Sequence, residues 1–95
     1  MALRRLSITV TGRVQGVGFR YFTQETAEAL GVTGWVRNVR NGWSRNVEAE
    51  AQAEEQTLAR FCERLREGPT LAHVSDVETH TVPVVDGDRG FEIRY

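Results

Sequence analysis

Between Thr11 and Phe19 the hydrophobic period of this chain changes, and that change limits what its first part can fold into. Leu6, Ile8 and Val10 alternate with Ser7, Thr9 and Thr11. A period of two, rich in β-branched residues, predicts a strand with one buried face. From Phe19 the apolar positions become Phe19, Phe22, Thr26, Ala29 and Leu30 and stop at Gly31. That spacing predicts a helix from about Tyr21 to Leu30, closed by a C′ glycine. The two elements are joined by Gly12-Arg13-Val14-Gln15-Gly16-Val17-Gly18-Phe19-Arg20. A glycine-bearing turn from strand to helix can build an anion cradle, because backbone N–H groups turn inward and the helix adds the positive end of its dipole. Arg20, in the first turn, could fork onto two oxygens of a phosphate or carboxylate. The same glycines also serve a plain connector whose Arg faces water, and a lone Gly-x-Gly weighs slightly toward that reading.

The rest of the chain continues the alternation of elements. Val32–Val39 predicts a second strand, and Asn41-Gly42 is a hairpin signal because both residues tolerate positive φ. A third strand resumes over Asn46–Gln52. Leu58, Phe61, Cys62 and Leu65 fall at helical spacing with Arg60, Glu63, Arg64 and Arg66 on the other faces. They predict an amphipathic second helix ending at Gly68-Pro69. Residues 74–82 give a fourth strand and residues 91–95 a fifth. The order is βαββαβ with the last strand returning as a hairpin. It predicts an α+β, ferredoxin-like two-layer sandwich, with both helices on one face of an antiparallel sheet. Its 95 residues suffice for one core, so residues 1–95 read as a single domain.

Composition narrows the function classes. Hydrophobic content of 40% with 26% charged residues is that of an ordinary soluble chain. No membrane span or signal peptide is present, and the expectation is a cytoplasmic monomer. Residues 1–47 carry seven Arg against two Glu, and residues 48–95 carry five Arg against eleven acids. The glycine turn therefore lies in the positive half, which can steer small anions but is too modest to imply nucleic acid binding. All twelve basic residues are Arg, so lysine-based chemistry is excluded. Cys62 reads as a small core residue. His73 and His80 lack Cys or carboxylate partners at ligand spacing, so no metal site is expected. Glu48, Glu50, Glu54 and Glu55 read as a solvated acidic stretch.

Val14-Gln15-Gly16-Val17-Gly18-Phe19-Arg20 resembles the signature of the acylphosphatase family. Gly34-Trp35-Val36-Arg37-Asn38-Val39-Arg40-Asn41-Gly42 resembles that family's second signature. Leu58 and Phe61, Gly68-Pro69, Ala72-His73-Val74 and the closing Phe91-Glu92-Ile93-Arg94-Tyr95 extend the likeness over nearly the whole chain. The resemblance implies hydrolysis of a small-molecule acyl phosphate to a carboxylate and inorganic phosphate, without a cofactor. It implies that Gln15, Gly16, Val17, Gly18, Phe19 and Arg20 hold the phosphate. Arg20 and Asn38 are then the catalytic pair, with Asn38 orienting the attacking water. Two ordered signatures outweigh the connector reading of the turn alone. Thr23 also fits a family position, although its hydroxyl can simply bond back to the helix.

One segment departs from the family. Trp43-Ser44-Arg45-Asn46 stands between Gly42 and Val47, where the family typically has about one residue. An odd insertion cannot be absorbed by sliding a strand, because that exchanges its faces, so a longer loop or a bulge at the tip is expected. Two other readings share the βαββαβ order. An RNA-recognition domain is disfavoured because strand one lacks the aromatic residues that stack bases. A non-catalytic phosphate-binding or regulatory module remains open.

Overall fold

In the computed structural model, which describes residues 2–95, the chain runs β1 (Leu3–Arg13), α1 (Phe19–Leu30), β2 (Thr33–Asn41), β3 (Ser44–Glu54), α2 (Glu55–Glu67), β4 (His73–Val82) and β5 (Phe91–Arg94). Leu6, Ile8 and Val10 face the helical layer as their spacing predicts, and Ile8 and Val10 are completely buried. Opposite them in the ladder stand Ala51, Ala49 and Val47, all buried. Helix α2 lays Leu58, Phe61, Cys62 and Leu65 on this face. At roughly 2 kcal/mol for each large apolar side chain, that stripe holds the second layer in place. Phe61 meets Phe91 of β5 with ring centroids 5.9 Å apart. Cys62 is buried in the core, and that burial pushes its thiol pKa up against a partial opposing pull from Arg66. No helix among the described residues is long and apolar enough to cross a membrane.

The strand order is β4-β1-β3-β2-β5. The first four strands pair antiparallel as expected, but β5 pairs parallel with β2, so the sheet is mixed. The fifth strand does not return as a hairpin on β4. After Val82 the chain crosses to the opposite edge over the face away from the helices, held there by side chains of β1 and β3. Gln52 donates to the Val85 carbonyl at 2.9 Å and accepts from the Val85 N–H at 2.8 Å. Arg5, only 4% exposed, contacts Glu50 and Asp88 at 2.7 Å each and Gln52 at 3.2 Å. Burial lowers the Arg5 pKa, but the bonds and charges of Glu50 and Asp88 outweigh it, and the net shift is upward. Glu50 is thus tied into a partly buried network centred on Arg5 and does not belong to a solvated acidic stretch. Gly34, where β2 starts its approach to β3, permits the tight spacing there, since a Cβ would lie 1.9 Å from the Glu50 carbonyl oxygen.

The β2/β3 hairpin also differs from expectation. Its register is unbroken from Thr33↔Gln52 to Asn41↔Ser44, and the tip is the two-residue turn Gly42-Trp43. Positive φ falls on Gly42 alone, at 61°, and Asn41 ends the strand. The extra residues therefore lengthen the ladder and form neither a loop nor a bulge. A tight turn closes the hairpin with the faces of both strands preserved, so no register slip is needed. Trp43 is fully exposed at the tip.

Candidate active site

The loop between β1 and α1 is anchored at both ends by apolar side chains, since Val14 and Phe19 are each 1% exposed. Between these anchors Gly16 and Gly18 both adopt left-handed φ, 73° and 76°, while Val17 does not. A Cβ at either glycine would meet nothing within 4 Å, so glycine is required by backbone angle and not by space. Such alternation turns successive N–H groups toward one side. Gly18 caps α1 without any side-chain hydrogen bond, and the first turn contains no acid. The earliest helical bond there is Phe22 N–H to the Gly18 carbonyl at 3.0 Å. The N–H groups of Phe19, Arg20 and Tyr21 precede it and have no carbonyl in the helix to meet. Helix α1 begins at Phe19, two residues before the expected start, and Arg20 stands in its first turn as expected.

Gln15 fixes this loop to the hairpin. Its side-chain amide donates to the carbonyls of Val39 and Asn46, which are cross-strand partners, at 2.9 Å each. Asn38 lies one residue before Val39, opposite Val47. Alternation puts it on the face of Val36 and Val47, the helix side of the sheet. Asn38, Arg20, Val14, Gly16, Gly18, Phe19 and Tyr21 all line one open depression of about 170 Å³. No acid lines it, and among the described residues Arg20 makes no ion pair. Its guanidinium instead lies over the Tyr95 ring, 4.7 Å from the centroid.

Of the residues named from the sequence, Gly16, Gly18, Phe19, Arg20 and Asn38 line this depression, whereas the Gln15 side chain is turned to the hairpin and Val17 is not part of the lining. The other candidates stand apart. Thr23 is buried and donates to the Phe19 carbonyl at 2.8 Å, the back-bonding role. His80 pairs with Glu78 at 3.1 Å on the surface, and Cys62 lies in the core. Among the described residues no cluster of three or more His, Cys, Asp or Glu could hold a metal ion. Sequence reasoning missed Tyr95 and the anchoring role of the Gln15 side chain. Tyr95 continues the alternation of Phe91 and Ile93, a signal that carries information only once β5 is known to lie beside β2. A larger groove of about 450 Å³ between α1 and α2 lies away from this site.

The sequence matches the family model described as Acylphosphatase over residues 6–93. The chain belongs to the acylphosphatase family. An acylphosphatase of Clostridium beijerinckii is 47% identical over 91 residues, covering 96% of this chain and 98% of that protein. An acylphosphatase of Bifidobacterium longum is 48% identical, covering 97% and 93% of the two chains. The crystal structure of acylphosphatase from Bacillus subtilis superposes with a TM-score of 0.88 at 37% identity, covering 99% of this chain and all of that one. The acylphosphatase likeness therefore extends over both signatures and over the mixed sheet that holds them.

Proposed function

We propose that this chain hydrolyses acyl phosphates to a carboxylate and inorganic phosphate. One observation carries the reading: a helix N-terminus with no side-chain cap, behind two left-handed glycines, shares a depression with Asn38 and with Arg20, which makes no ion pair among the described residues. The N–H groups from Gln15 to Arg20 bind the phosphoryl oxygens, and the Arg20 guanidinium forks onto two of them. Asn38 holds a water in line with the phosphorus. The water oxygen forms the new P–O bond, and the bond from phosphorus to the acyl oxygen breaks with its electron pair on the departing carboxylate. An amide is no base, so a phosphate oxygen accepts the water proton. The protein's share is position and charge neutralisation, which suits a substrate whose leaving group is already good. The same proposal includes a cytoplasmic monomer acting on a small molecule, without a nucleic acid partner and without a metal.

Purified protein is expected to hydrolyse benzoyl phosphate in the presence of a chelator. Binding of inorganic phosphate with no turnover would instead favour the non-catalytic module. Asn38→Ala is expected to lower kcat about 10²-fold while the inhibition constant of inorganic phosphate changes by less than about threefold. Equal losses in both would assign Asn38 a structural role.

A further inference from the structure

Arg40 and Arg45 face each other across the β2/β3 ladder. They stand one rung beyond Val39 and Asn46, the pair to which Gln15 fastens the loop. Both are exposed, and among the described residues neither makes an ion pair. Residues two apart on a strand share a face, so Arg40 follows Asn38 on the site's side at a distance of about 7 Å along the strand, and Arg45 follows Val47. Like charges directly opposite in a ladder repel and destabilise it. Elsewhere the sheet compensates such charges. Arg37, beside Arg94, contacts its cross-strand partner Glu48 at 3.0 Å, and Arg94 contacts Glu92 at 3.3 Å. At the loop end no such compensation is made. The acid at that end of β4, Asp76, pairs with Thr11 on the face away from the helices.

The cradle and Arg20 already supply what a phosphoryl group needs, so the two hairpin arginines are charge in excess of that task. We infer that Arg40 and Arg45 are a longer-range anion-attracting element that makes this enzyme favour acyl phosphates whose acyl group is itself anionic. The inference rests on the hydrolase reading above. In-line attack sends the acyl group away from the water and hence from Asn38, so the pair acts through its field and not by contact. Asn38, which lines the depression, stands about 7 Å along the strand from Arg40, inside one Debye length of roughly 8 Å at physiological ionic strength. A field of this kind lowers the energy of an approaching anion in proportion to its charge, so it raises the encounter rate more for the more highly charged substrate and leaves the chemical step alone. Its effect belongs in KM, and it falls with salt.

The test compares benzoyl phosphate with 4-carboxybenzoyl phosphate, each rate divided by that substrate's spontaneous hydrolysis. In about 10 mM salt, wild type is expected to show kcat/KM about five- to tenfold higher for the carboxylated substrate. That ratio should approach one in about 0.5 M salt. The double variant Arg40→Gln/Arg45→Gln is expected to lose the ratio at low salt through KM, and to melt no lower than wild type because a repulsion is relieved. Equal kcat/KM for the two substrates in wild type, a ratio that survives in the double variant, or a loss confined to kcat would each overturn the inference. Absence of hydrolysis of both substrates would overturn the hydrolase reading and this inference with it, whereas hydrolysis without charge preference overturns this inference alone.

Discussion

Arg20→Gln is expected to lower kcat/KM for benzoyl phosphate by about 10³-fold or more, the range found when a charge-stabilising arginine is removed from a phosphoryl transfer site. The glutamine offers two N–H donors on a single nitrogen but neither the positive charge nor the two-nitrogen fork. Arg20→Lys is expected to recover little, because a point charge on a flexible stem does not match two oxygens at once. The fold is not at stake. Arg20 is half-buried, and what it loses structurally is its stacking on Tyr95, about 0.5–1 kcal/mol, or a few degrees in Tm for a chain of this size. Steady-state kinetics together with a thermal melt separate the two effects. An Arg20→Gln variant that keeps a tenth of wild-type kcat/KM would remove Arg20 from the mechanism.

Arg5→Leu is expected to destabilise the protein by about 2–3 kcal/mol, a drop in Tm of roughly 10–20 °C. Removing one partner of a buried ion pair leaves the others without compensation. Here Glu50 and Asp88 remain, with side chains 30% and 21% exposed, so water softens the penalty and the expected loss sits below that for fully buried pairs. The Arg5 pKa is raised in the folded state, so its contribution is present at neutral pH and is lost only as pH rises through the folded value in strong alkali. Measurement near pH 7 therefore reads the whole effect. The triple variant Arg5→Leu/Glu50→Gln/Asp88→Asn should regain part of it, because no charge is then stranded. A change below about 1 kcal/mol in the single variant would show that the network is not what holds the crossing segment.

These two arginines differ in how readable they are. Arg20 stands at a change of period, next to glycines with a single conformational purpose, and every part of that argument is local. Arg5 sits beside Arg4 at the start of a strand, and nothing near it distinguishes it from a surface residue. Its partners are 45 and 83 residues away. The helices, the first four strands and the loop were legible for the same local reason, since alternation and helical spacing report which side of an element is dry. The edge chosen by β5 was not, because Phe91 and Ile93 alternate identically at either edge of a sheet. The hairpin tip was misread because two residues, Gly42 and Trp43, suffice to turn the chain, and a count of inserted residues does not say where the ladder stops.

From its sequence alone this chain determines two helices, the strands that precede them, and a glycine-bearing loop with Arg20 at the helix start and Asn38 on the second strand. Those follow from periodicity and from backbone angles that only glycine adopts freely. Tertiary structure alone decided that Asn38 and Arg20 share one depression, that Tyr95 lies under Arg20, that Gln15 ties the loop to the hairpin, and that Arg40 meets Arg45. Each of these depends on strand order and register, which are set by the packing of the whole sheet against its helices and by the Arg5 network that carries the chain across its back.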